Sequence, residues 1–190
     1  MADSKARIHM PTPEGVRGDK NYIKMKKLFY LMAAALCLVS CFDGPAPTSE
    51  SNFVDLGLPS GTQWKDVNEK NANDSVFDFY DFDAAVSAFG NSLPTKEQLE
   101  ELVGQCTWER LEKEYKVTGP NGKSIMLPAE GFRNCSGTAG EQGVIGRYWS
   151  STSEDADLAW TLSFNMAGKG VDMSSRCNSQ CVRLVRKAAQ

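Results

Sequence analysis

Few side chains in this sequence can carry acid–base or nucleophilic chemistry, and their spacing limits what they can do. His9 is the only histidine in 190 residues. It stands ahead of the apolar run described below, so the body of the chain has no imidazole and no Ser-His-Asp or Cys-His arrangement. Four cysteines, Cys106, Cys135, Cys177 and Cys181, fall in the body. Cys177 and Cys181 are four apart, but Cys106 and Cys135 give no second pair at finger-like spacing, which argues against zinc. In an exported protein four cysteines allow three disulfide connectivities, and spacing does not choose among them. Glu154, Asp155 and Asp157 cluster beside Trp160. Paired carboxylates can hydrolyse glycosides, but a solvated acidic loop is the plainer reading. Asp78, Asp81 and Asp83 offer oxygen ligands, yet lack the glycine and terminal glutamate of a calcium loop; they read as the acidic start of a helix. The expectation is therefore a protein that is not an enzyme, with no cofactor and no metal.

The elements that must position these residues begin after Cys41. Met25-Lys26-Lys27 is followed by the apolar run Leu28–Val39 and then by Ser40-Cys41. This is the order of a secretory signal. The run is about a dozen residues, whereas a spanning helix needs about 20. Leu38-Val39-Ser40-Cys41 resembles a bacterial lipobox, with Cys41 as the lipid attachment point. Residues 1–24 read as an extraneous or misassigned extension, 25–40 as the signal peptide and 41–52 as a tether. The net charge is −3 overall. Residues 42–190 hold 14 Lys and Arg against 21 Asp and Glu, a balance of −7. An acidic body argues against nucleic acid as a partner.

Two helices are legible. Phe82, Ala85, Val86 and Phe89 share one helical face in 81–89, closed by Gly90-Asn91. Thr95 and Gln98 form a capping box ahead of Leu99, Leu102, Val103 and Cys106. Strands are expected at 108–111, 115–118, 124–127, 148–152, 159–165, 169–173 and 181–186, with the glycine-rich stretch 131–146 as a long loop. Helices early and strands late predict an α+β domain over 53–187, with two helices and a short-stranded, mainly antiparallel sheet.

Several motifs then occur in order. They are Val54–Trp64, Leu93–Gln98, Cys106-Thr107-Trp108, Tyr115–Gly122, Leu127-Pro128-Ala129, Gly131-Phe132-Arg133, Tyr148-Trp149-Ser150-Ser151 and Val182–Arg186. Together they resemble the Fibrobacter succinogenes major paralogous domain of Bacteroidetes envelope lipoproteins. The resemblance implies a C-type-lectin-like fold, shared with formylglycine-generating enzymes and with variable receptors of diversity-generating retroelements. It also implies a lipid-anchored envelope protein, placed by expectation in the outer membrane, whose partners are a glycan or protein ligand at the cell surface. The pattern departs after Trp64, where Lys65–Lys70 replace the family's usual segment. Cys177 and Cys181 lie where paired cysteines of the oxidases might, but the flanking sequence does not match and the activity is not carried over. An envelope enzyme and a structural surface-assembly subunit are the alternative readings.

In the variable receptors, C-terminal strands carry changing residues between fixed ones. On that layout the ligand-binding patch is expected from Asp155, Asp157, Trp160, Asp172, Ser174, Asn178 and Gln180. Strict strand alternation would bury Trp160 with Leu162 and Phe164; a bulge or a later strand start near Thr161 would re-aim it.

Overall fold

The computed structural model describes residues 52–188. Most of the chain is built from short antiparallel strands. In chain order these are β1 (Phe53–Asp55), β2 (Thr62–Lys65), β3 (Tyr80–Asp81), β4 (Thr107–Arg110), β5 (Glu114–Thr118), β6 (Ser124–Pro128) and β7 (Phe132–Arg133). They continue as β8 (Ala139–Gly140), β9 (Gly146–Ser153), β10 (Leu158–Asn165), β11 (Gly168–Ser175), β12 (Ser179–Gln180) and β13 (Val185–Lys187). Between β3 and β4 lie α1 (Phe82–Phe89) and α2 (Lys96–Gln105).

The helices form where their caps dictate. Asp81 accepts the Ala84 amide at 2.8 Å and so starts α1. Gly90 takes a positive φ of 48° to end it. Thr95 and Gln98 make the reciprocal capping box of α2, and Leu99 and Leu102 are its fully buried positions.

The strands form four sheets, ordered β1-β2-β13, β4-β5-β6, β11-β10-β9 and β3-β12-β7-β8. The expected α+β class is therefore corrected to a mainly β fold. Strands hold 42% of the described residues and helical turns 15%. The physical reason is strand length. Strands of two to four residues carry no readable alternation, so β1, β2 and β3 gave no signal, and the expected loop 131–146 contains the β7–β8 hairpin. The expected strand 181–186 is also divided. Cys181 forms only an isolated parallel bridge with Tyr148, and β13 joins a different sheet through Val185 and Trp64.

Both faces of the β9–β10–β11 sheet are covered over part of their length. Tyr148, Leu162 and Phe164 enter the larger core with Trp64, Leu99, Leu102, Val117 and Leu127. Trp149 and Ala159 point the other way, into a smaller core with Phe82, Ala85 and Val182. Gly146 has to be glycine, because a Cβ there would stand 2.0 Å from the Phe164 ring. Among the described residues no helix is long and apolar enough to cross a membrane. Cys41 and the signal-like run lie outside the described residues.

Candidate functional site

The seven residues expected to form one binding patch separate into three places. Trp160 is half-buried on the sheet face that carries Leu162, and it is opposed on β11 by Met173. A register shift is present, but on β9, and it does not re-aim Trp160, which stays on the Leu162 face as strict alternation has it. Between the pairs Ala159–Ser153 and Thr161–Trp149, the register shifts so that Ser150, Ser151 and Thr152 stand opposite Trp160. The indole donates to Glu154 Oε2 at 2.9 Å, and the Lys96 ammonium sits 3.6 Å from its ring centre. One face of the indole is thus already occupied by a cation.

Asp172 pairs with Thr161 and so points to the opposite face of the sheet from Trp160. Ser174 and Gln180, 4% and 0% exposed, lie inside the protein rather than on a surface patch. Gln180 Nε2 donates to Ser174 Oγ at 2.7 Å, Asn178 Nδ2 donates to the same oxygen at 3.0 Å, and Thr161 Oγ1 donates to Gln180 Oε1 at 2.5 Å. These polar groups satisfy each other, which is why they can be buried. Asp155 shapes the β9–β10 turn by accepting the amides of Asp157 and Leu158 at 2.8 and 2.7 Å. Asp157 lines a polar hollow of about 520 Å³ with Asp81, Asp83, Arg176 and Cys177. Within it Arg176 pairs with Asp83, and Asp81 is taken up by the cap of α1.

The remaining acidic and sulfur groups are also accounted for. Asp81 caps α1 and Asp78 pairs with Lys70 at 2.6 Å. Cys135 and Cys177 form a disulfide, leaving Cys106 and Cys181 as thiols. Burial, with Glu101 nearby, pushes the Cys106 thiol up to about 11, so it is protonated at neutral pH.

Another recess lies along the irregular segment 66–79. A groove of about 450 Å³ has Val76, Phe77, Pro128 and Ala129 as its apolar wall, with Lys113 and Glu130 among its polar groups. A second groove of about 340 Å³ has Asp66, Val67, Asn68, Met126 and Arg183 in its lining. Both share Lys70, Pro128 and Glu130. Val76 and Val67 are 76% and 46% exposed.

Local bonds hold the segment in place. Asp74 bridges Arg133 at 2.8 Å, the Tyr80 hydroxyl donates to Lys70 O at 2.5 Å, and Glu69 N donates to Val182 O at 2.9 Å. Phe77 and Phe79 stack with centroids 5.3 Å apart.

Beneath the grooves is a buried polar cluster. Tyr148 Oη donates to Pro128 O at 2.6 Å. Asn68 Nδ2 lies 3.3 Å from both Tyr148 Oη and Glu130 Oε2, and the Cys181 thiol donates to Glu130 Oε2 at 3.4 Å. Burial, reinforced by Glu130, raises the Cys181 thiol well above its ordinary value; burial likewise raises Tyr148. Both groups are therefore neutral donors at neutral pH. A buried, protonated thiol is a poor nucleophile.

No family model, curated protein or solved structure matches this chain.

The patch expected from sequence missed this recess. Its signals were faint: two isolated valines in a polar run, and Glu130 directly after Pro128-Ala129. The run begins just after β2, which ends at Lys65.

The Asp74–Arg133 bridge gives a pH prediction. The bond from Arg133 holds the Asp74 carboxyl below its ordinary value despite burial. A depressed folded-state pKa adds stability that is full above the unfolded value near 4, and it is lost as pH falls through the folded value. Asp74→Asn is expected to lower the melting temperature more at pH 7 than at pH 2. Equal losses at both pH values would show that the bridge contributes nothing.

Proposed function

We propose that this chain is an envelope-anchored lipoprotein whose folded body recognises a ligand, and that the paired grooves around Glu130 are the place of recognition. The grooves carry the reading: an apolar wall with a few convergent polar groups is the usual make-up of a binding site. The Cys135–Cys177 disulfide supports an oxidising compartment, in keeping with the signal-like order before Cys41. The resemblance to envelope lipoproteins supports the same reading. The ligand class consistent with it is a glycan or a protein at the cell surface.

Two experiments test it. The full chain in detergent micelles, applied to glycan and protein-partner screens, is expected to give a partner whose binding is lost in Phe77→Ala. Retained binding in that variant, with an intact fold, would move recognition elsewhere. Replacing Cys41 with Ala is expected to shift the protein from the membrane to the soluble fraction, because a lipid chain supplies most of the membrane affinity. Unchanged fractionation would refute the anchor.

A further inference from the structure

We infer that the Glu130 grooves receive a cationic, donor-rich head on an aliphatic stem: a lysine or arginine side chain of a protein partner. The inference rests on the recognition reading above and names the ligand chemistry of that site.

Two carboxylates in the second groove have acceptor capacity that the protein leaves unused. Glu130 accepts from Asn68 at 3.3 Å and from the Cys181 thiol at 3.4 Å, both through Oε2, and Oε1 has no protein donor among the described residues. Among the described residues it makes no ion pair within 4.0 Å. Asp66 Oδ1 is buried with no hydrogen-bond partner. A buried acceptor without a donor is costly, and a charged acceptor more so. An ammonium or guanidinium group supplies several N–H donors to such oxygens.

The local cations do not serve them. Lys70 is engaged by Asp78 at 2.6 Å. Arg183 spends its donors on Asn68 Oδ1 and the carbonyls of Lys65 and Met126. With the Lys70–Asp78 pair counted as neutral, Asp66 and Glu130 face one guanidinium, which leaves the second groove one positive charge short.

The surroundings suit the stem and the body behind it. Met126, Pro128 and Val67 line the second groove, and Phe77 and Val76 continue the apolar surface into the first. Aliphatic stems of basic side chains pack on such surface while the head reaches polar groups. Val67 and Val76 extend as an exposed apolar rim beyond the space a head group fills. That rim favours a protein-borne side chain over a free amine.

The test titrates the full chain in detergent micelles, followed by amide NMR shifts of Val67, Lys70 and Glu130. The probes are n-hexylammonium, n-butylguanidinium, n-hexanol, hexanoate, spermidine and a blocked Gly-Lys-Gly peptide. The two alkyl cations are expected to bind at least tenfold tighter than hexanol, with hexanoate weakest. Glu130→Gln and Asp66→Asn are each expected to remove that preference, while Glu109→Gln on β4 keeps it. The peptide is expected to bind at least as tightly as spermidine; the reverse order would overturn the protein-borne source. Equal binding of hexanol and hexylammonium by the unaltered protein would overturn the cation inference without needing any variant. That result would leave the recognition reading standing, because hexanol would still occupy the groove. No response to any probe would overturn the inference and remove support for the groove itself.

Discussion

Trp149→Ala is expected to cost about 3–5 kcal/mol of folding stability, read as a lower urea midpoint. The side chain is fully buried, and its ring meets Phe82 edge-on with centroids 5.4 Å apart. Its indole N–H donates to Tyr80 O at 2.8 Å. Truncation leaves a cavity among Ala85, Ala159 and Val182 and strips a buried carbonyl of its donor. The whole margin of a domain this size is about 5–15 kcal/mol, so the variant should be marginally folded at 37 °C. Trp149→Phe keeps most of the packing and loses the hydrogen bond, so it should fall between the two. A negligible change in both variants would mean that α1 is not held to the sheet through Trp149.

The same tryptophan shows what the sequence makes legible. Helices announce themselves through their ends. Asp81, Gly90 and the Thr95–Gln98 box fix α1 and α2 to within a residue. The eight-residue strands β9, β10 and β11 are long enough for alternation to show. Short strands are not, and their omission tilted the expected class toward α+β. The register shift opposite Trp160 lies on β9 and leaves Trp160 on the Leu162 face; its position depends on register, which no local composition encodes.

Site legibility failed for two further reasons. Ser174 and Gln180 have the chemistry of a polar binding face, yet partners from Thr161 and Asn178 satisfy them inside the protein. A hydroxyl or amide reads the same in sequence whether its partner is water or protein. The grooves, in turn, assemble from positions 66–78, 113, 126–130, 142–143 and 183, which only the fold brings together. The pairing of Cys135 with Cys177 is of the same kind: 42 residues separate the two, and only the placement of β7–β8 beside the β11–β12 turn joins them.

Arg183→Met is expected to destabilise by about 3–5 kcal/mol and to open the grooves at the same time. Arg183 is 1% exposed. Its Nε donates to Asn68 Oδ1 at 2.8 Å, Nη1 to Lys65 O at 2.9 Å and Nη2 to Met126 O at 2.8 Å. One guanidinium thus ties the end of β2, the 66–79 segment and β6 to the chain just before β13. Two effects oppose each other in the variant. Burial lowers the proton affinity of Arg183, so an apolar side chain of similar length removes a desolvation cost. Against that, three acceptors lose charge-assisted bonds, each loss amounting to about 1–3 kcal/mol where the acceptor stays buried. The acceptors are two backbone carbonyls and an amide in fixed places, so they cannot follow the change, and the loss outweighs the relief. Arg183→Lys keeps the charge but cannot present the planar fork to all three at once; its urea midpoint should lie between the Met variant and the parent. Asn68 would be released in both variants, and with it the contact to Glu130 at the junction of the grooves. A Met variant as stable as the parent would show that desolvation, not the three bonds, sets the balance at Arg183.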